Sequence, residues 1–430
     1  MAGMSVRPYW ELTFDKNGRA DRRELDALLR GAADEHLTDL VVFAHGWNNT
    51  RSTATGLYNA FFATFPPQQG LGYCGIIWPS MRFTDEDVPD WLPLAPEADR
   101  PGLPPGTREA LALAFPGRDA VLGRLAELAE RQPADRARLE EFTGLVRTLV
   151  SPRPREADRT GAEDGAWVRD TDSEPTAPVM FTQSAVEVCD AFATALESLA
   201  PPAPGLFGGV LKRVWRGALE LLRQGTYWEM KRRAGVVGRA GLGPALGELA
   251  AGTSNLRVHL AGHSFGARLV SFAPGGLPDG VRVQSLTLLQ GAFSHYAFTP
   301  GLPFAPGRSG VLHDAPGRVA GTVACCWSRH DMALGTLYPL ASRLSGDSES
   351  LLGLDESRWG AMGHDGMRAV PDCTALTLAD ALTGALPASG CANVDASEVV
   401  RRGGPPAGAH SDICHAELAR VVLMAGRGMR

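Results

Sequence analysis

Short apolar, β-rich runs separated by helical patterns are the feature that most restricts what this chain can become. The stretch L-V-V-F-A at 40–44 is apolar throughout and ends at a glycine-containing turn, as strands buried on both faces do. Comparable runs predict strands at 75–78, 256–261, 283–289 and 319–327, and alternation over 9–14 predicts an earlier one. Helical patterns lie between most of them, the first at 22–29. Strand alternating with helix implies right-handed crossovers and a mainly parallel sheet covered on both faces, an α/β class.

The 430 residues suffice for a sizeable core, and 44% apolar with 21% charged suits a globular protein. The length is read as a single domain over 1–430 with one large insertion. A net charge of −6 offers no field for nucleic acid or an anionic membrane surface. The basic residues are nearly all arginine; only Lys16, Lys212 and Lys231 are lysines. Seven cysteines, at 74, 189, 325, 326, 373, 391 and 414, form no C-x-x-C pair, and their number is odd. A reduced, cytoplasmic protein is the expectation. The opening M-A-G-M-S-V-R-P-Y-W-E-L lacks the apolar stretch of a signal peptide. No run approaches the ~18 apolar residues of a membrane span, so no stable membrane insertion is expected.

The distance from 81 to 255 is too long for one crossover. Residues 81–225 are therefore read as an insertion of cap or lid type. It opens on a proline-rich stretch at 89–116, continues as a charged helix at 119–150, and returns to helical periodicity at 181–199. The polar, Pro/Gly-rich segment 151–178 is expected to be flexible. Near its end, Leu206, Val210, Leu211, Val214, Trp215, Ala218, Leu221 and Leu222 share one helical face, with Lys212, Arg213, Arg216 and Arg223 on the other. A lid helix or a membrane-surface helix carries this pattern, and so does an ordinary helix packed on its own core, the plainer reading.

The chemistry-bearing motif is G-H-S-F-G, from Gly262 to Gly266. With 50 glycines in the chain the bare match decides little. Its context decides: a β-branched run ends at Ala261 and helix formers follow Gly266, which makes strand, tight turn, helix. Such a turn strains the central serine, and Gly262 and Gly266 keep its surroundings clear. The Ser264 hydroxyl then stands at a helix N-terminus, where partial positive charge favours a developing oxyanion. His263 is adjacent, but neighbouring side chains diverge on a sharp turn. It is assigned a shaping role at the pocket wall rather than that of base.

Where a nucleophile sits on such an elbow, one oxyanion donor comes from the next residue and another from the loop after an early strand. Here those are the backbone N–H groups of Phe265 and Trp47, with His45 and Gly46 completing the H-G-W turn. The acid is expected after the run at 319–327, at Asp331 in S-R-H-D-M, which also caps a helix predicted at 332–340. For the base, His410 lies in a Gly/Pro-rich loop before a final helix predicted from about residue 412. His415, inside that helix, is the second candidate, and His364 the third. The loop 291–304 carries aromatics that would either line an apolar pocket mouth with Trp47 and Phe265 or simply pack within the loop.

Four blocks carry a resemblance: V-F-A-H-G-W-N-N at 42–49, T-Y-W-E-M-K-R-R-A-G-V-V-G at 226–238, H-L-A-G-H-S-F-G-A-R-L-V at 259–270 and W-S-R-H-D at 327–331, with G-A-H-S-D-I in the tail. Together they resemble the bacterial α/β-hydrolase superfamily, within it the esterase- and lipase-like serine hydrolases. The matches skip 81–205, and an insertion before the nucleophile strand departs from the more usual place of a lid. The resemblance implies cleavage of small-molecule or lipid-like esters by a Ser264–Asp331–His410 triad through an acyl-enzyme. It implies no metal and no organic cofactor, and no His/Cys/Asp cluster has metal-ligand spacing. A peptidase, thioesterase, amidase or acyltransferase would use the same triad, and a binding protein on a retired hydrolase fold would keep the scaffold.

Overall fold

The computed structural model describes residues 4–84, 102–150, 180, 183–199, 210–253, 255–305, 307–339, 360–404 and 407–426. Eight strands form one open sheet: β1 (Tyr9–Thr13), β2 (Asp39–Ala44), β3 (Leu71–Ile77), β4 (Arg257–His263), β5 (Ser285–Leu289), β6 (Thr322–Trp327), β7 (Thr374–Thr377) and β8 (Gly390–Asp395). Their order is β1-β3-β2-β4-β5-β6-β8-β7, and every pairing is parallel. The expected mainly parallel α/β sheet is therefore present.

The helices that matter for the site are α1 (Arg22–Asp34), α2 (Arg51–Phe62), α3 (Pro105–Ala114), α4 (Asp119–Arg131), α5 (Arg136–Val150), α6 (Ala185–Leu199), α7 (Val210–Val236), α8 (Gly243–Gly252), α9 (Phe265–Phe272) and α10 (Ala416–Ala425). Period-2 alternation divides the strand residues between two apolar layers. Val41 and Phe43 of β2 face α2 and α10, while Leu40, Val42 and Ala44 join the layer that holds α1, α7 and α9. Phe43 stacks on Phe61 at 4.4 Å and meets Tyr58 and Phe62 edge-on, fixing α2 to the sheet. Burying one such ring contributes on the order of 2–3 kcal/mol.

From β2 the chain turns back to β3 on one side, and from β4 it proceeds to β5 and β6 on the other. Strand order thus reverses between β2 and β4, whose ends stand in register at Ala44 and Gly262. In an open parallel sheet the crevice at the carboxyl ends of such strands is where ligands are accommodated.

Several elements differ from expectation. Strands β7 and β8 are additional; β8 is polar, and its Asn393 is accommodated by bonding Met367 N at 2.7 Å and Met367 O at 2.9 Å. The single helix expected over 119–150 is two, because Gln132 adopts a left-handed conformation at φ 43 ahead of Pro133. The helix expected after Asp331 is present, but it is wound as a π-helix over Ala333–Leu337. The final helix begins at Ala416, later than expected, because Asp412 instead accepts from Arg401 N and Arg402 N in the preceding loop. His415 is consequently the cap residue rather than a helix-interior one.

Between β3 and β4 lie α3 to α8, and α7 packs against α5, α6 and α9. Trp215, Ala218, Leu221 and Leu222 of its expected apolar face are buried in the same cluster as Leu260 of β4. On the opposite face Arg213 pairs with Asp190 and Glu197, and Arg223 lies over the Phe83 ring at 4.6 Å. The described part of this helix is thus packed on the protein itself. The expected linker 151–178 and Leu206 lie outside the described residues. Among the described residues no helix is long and apolar enough to cross a membrane.

Candidate active site

Strand β4 ends at His263 and α9 begins at Phe265, which leaves Ser264 alone to turn the chain. Its backbone has φ 56 and ψ −118, a conformation strained for any residue with a side chain. Crowding explains the flanking glycines: a Cβ on Gly266 would stand 1.9 Å from Ala44 O, and one on Gly262 2.3 Å from Gly266 O. Ser264 N donates to Leu289 O at 3.1 Å and Ala292 N donates to Ser264 O at 3.3 Å, tying the elbow to the end of β5. The serine is 5% exposed.

The structure brings the three expected side chains together. His410 Nε2 lies 3.0 Å from Ser264 Oγ, and His410 Nδ1 lies 2.7 Å from Asp331 Oδ2. A carboxylate only accepts, so Nδ1 carries the proton and Nε2 presents a lone pair to the serine hydroxyl. Asp331 is fully buried, and its second oxygen accepts from Leu334 N at 3.0 Å, which fixes the plane of the carboxylate. The His410 loop is stitched to the Asp331 loop by Ala409 N to His330 O at 2.9 Å and Ala333 N to Ala407 O at 3.2 Å.

The other two histidine candidates lie elsewhere. His415 Nε2 pairs with Asp412 Oδ1 at 2.9 Å, and His364 Nδ1 donates to the backbone oxygen of Asp331 at 3.1 Å.

The H-G-W turn closes over the serine from β2. A Cβ on Gly46 would stand 2.7 Å from Ser264 Cβ, so its absence lets the peptide that carries Trp47 N approach. Phe265 N belongs to the first turn of α9, whose N–H groups lack intrahelical partners. The turn is held by residues that carried no role in the sequence. Asn49 Nδ2 donates to Gly46 O and Trp47 O, Asn48 Oδ1 accepts from Phe83 N at 2.6 Å, and Trp78 Nε1 donates to His45 O at 2.9 Å. His45 N donates to Tyr58 Oη at 3.2 Å. Burial pushes the His45 imidazole down to about 4, so it is neutral, and its ring stacks on Trp78 at 5.5 Å. The N-N pair after the turn was the one available signal, since asparagine satisfies turn backbones.

Comparison of the chain with family models, with curated proteins and with solved structures finds no match.

The aromatic wall differs from expectation. Phe293 and Phe298 of the loop 291–304 are buried and pack on each other at 6.3 Å, while Tyr296 meets Phe304. Trp47 and Phe265 instead meet Tyr227 of α7, at 5.2 and 4.4 Å between ring centres, and Tyr227 approaches Tyr338 at 6.4 Å. Tyr227 belongs to the block 226–238, but nothing local marks it as meeting Trp47 and Phe265. That depends on how α7 docks against α9.

At the opposite end of β4 lies a second hydrogen-bonded array. His259 Nε2 meets Asp39 Oδ1 at 2.9 Å and His259 Nδ1 meets Ser285 Oγ at 2.9 Å, with all three residues fully buried. Arg257 holds the same carboxylate through two bonds, at 2.8 and 2.6 Å. Ser285 lies within regular strand β5, and this array binds β2, β4 and β5 together. Among the described residues no group of three or more His, Cys, Asp or Glu side chains converges as metal ligands would.

Proposed function

We propose that the chain is a serine hydrolase of the α/β-hydrolase fold, in one domain, that cleaves carboxylic esters through an acyl-enzyme. The observation that carries this reading is the continuous run Ser264 Oγ, His410 Nε2, His410 Nδ1, Asp331 Oδ2, with spacings of 3.0 and 2.7 Å, ending on a serine at φ 56. The order Ser, Asp, His along the chain, after β4, β6 and β8, supports the same assignment.

In this mechanism His410 takes the Ser264 proton as the hydroxyl oxygen attacks the ester carbonyl, and Asp331 stabilises the imidazolium. The N–H groups of Trp47 and Phe265 receive the oxyanion, each worth about 3 kcal/mol in the transition state. His410 then protonates the departing alkoxide. In the second half it deprotonates water, which attacks the acyl-enzyme, and the acid is released with the serine restored. The wall of Trp47, Phe265 and Tyr227 favours an apolar or aromatic group on the ester. The helices of the insertion, joined to the site through α7, act as its cap in this reading. The seven free cysteines suit a reducing cytoplasm.

The test is labelling of the full chain with a fluorophosphonate, followed by a panel of p-nitrophenyl esters of increasing chain length. A single label at Ser264, absent from Ser264→Ala, together with ester turnover, is expected. Undiminished labelling of Ser264→Ala would overturn the assignment. Labelling without ester turnover would move the activity to other acyl substrates of the same triad.

A further inference from the structure

His410 sits in a loop, G-G-P-P-A-G-A-H at 403–410, whose residues before the histidine bear no side chain able to hold it in place. Two backbone bonds attach this loop to that of Asp331. A third bond comes from the nucleophile's side: His263 Nε2 lies 2.8 Å from the backbone oxygen of His410, with the two rings 4.8 Å apart. A carbonyl only accepts, so His263 is the donor and holds its proton on Nε2.

We infer that His263 is a positioning residue for the base, tethering the His410 loop to the elbow that carries the nucleophile. The inference rests on the serine-hydrolase reading above. Because His263 and Ser264 are consecutive, one rigid strand end sets both the position of Oγ and the height of the imidazole that must meet it. Burial, and then the neighbouring His410, push the His263 imidazole down to about 3. It therefore stays neutral when His410 takes the serine proton, and the tether persists through the catalytic cycle without adding a second positive charge. Released from that bond, the loop keeps its attachments on the Asp331 side but loses the one on the nucleophile's side, and a displacement of ~1 Å costs about a hundredfold in rate.

The experiment measures kinact and KI for a fluorophosphonate on full-length wild type, His263→Leu, His263→Gln and His263→Asn, with thermal melts of each. Glutamine carries its N–H at the same number of bonds from Cβ as histidine Nε2; asparagine ends one bond short. His263→Leu is expected to lower kinact ten- to a hundredfold with KI within about threefold. His263→Gln should recover to within about fivefold of wild type, and His263→Asn should not. A folded His263→Leu with kinact within twofold of wild type would overturn the tether. So would equal rates for the Gln and Asn variants, a comparison that still decides if the leucine variant fails to fold. A wild type that takes no label at Ser264 would instead remove the serine-hydrolase reading, and with it the base that the tether places.

Discussion

His410 and Ser264, 146 residues apart in the chain, stand 3.0 Å apart across the ends of the sheet. Ser264 has no freedom to find its partner, since its backbone is locked between β4 and α9. Approach must come from the histidine's loop, which is held at three points: to His330, to Ala333 and to His263.

On the proposed function, loss of His410 should therefore differ sharply from loss of its neighbour in sequence. His410→Ala is expected to lower ester turnover by at least about a thousandfold, as removal of a triad base does. His415→Ala, which loses only a bond to Asp412, should keep turnover within about fivefold. Circular dichroism of both variants separates lost catalysis from lost folding. Full activity in His410→Ala would remove it from the mechanism.

Tyr227 meets the rings of Phe265 and Trp47, which flank the serine's turn. Tyr227→Ala should thus act on substrate preference. For a p-nitrophenyl ester of six or more carbons, kcat/KM is expected to fall about tenfold, equivalent to ~1.4 kcal/mol. For the acetate the fall should stay within about threefold. A uniform loss across chain lengths would place this ring in the catalytic machinery instead of the substrate wall.

Asp39 predicts a pH dependence of stability. Burial opposes its charge, but the bonds from His259, Arg257 and Thr38 outweigh that and hold the carboxyl below the usual carboxylate range. A folded-state value below the unfolded one means that the contribution is present in full at neutral pH. It is lost as pH falls below about 4, toward the folded-state value. Asp39→Asn should cost about 3 kcal/mol in urea melts at pH 7, as breaking a buried ion pair does, and less at pH 3. An equal cost at both pH values would show that the effect is packing and not charge.

Residues whose roles follow from local pattern could be marked in the sequence. The β-branched runs mark the central strands, and glycines around a serine at a strand end mark a turn too crowded for side chains. Asp331 and His410 were marked by their places in chain order after the elbow. What escaped depends on pairing between distant segments. Strand β8 escaped because Asn393 and Asp395 break the apolar pattern, and only the Met367 backbone makes Asn393 acceptable there. The loop 291–304 offers aromatics next in sequence to the neighbouring strand, and sequence alone does not say whether they line the site or pack on one another. Tyr227 lies on a helix whose docking no periodicity reveals. His263 was given a place at the pocket wall, but its bond to the His410 carbonyl needs the loop to arrive first.

Strand β4 carries an acid–imidazole–hydroxyl array at each end. A template of those three groups at hydrogen-bonding distance would return this chain twice, and the proposed function uses one of the two hits. Distance does not separate them, since His259 to Asp39 is 2.9 Å and His410 to Asp331 is 2.7 Å, although the acid meets Nε2 in the first and Nδ1 in the second. Two other properties do. Ser264 is bent out of the strand onto a helix N-terminus, whereas Ser285 keeps an ordinary strand backbone. The side chain of His410 retains 16% exposure, whereas that of His259 has none. In an open parallel sheet ligands are accommodated beyond the carboxyl ends of the strands. On the proposed function, the same three residue types act as a reagent at one end of a strand and as a rivet at the other.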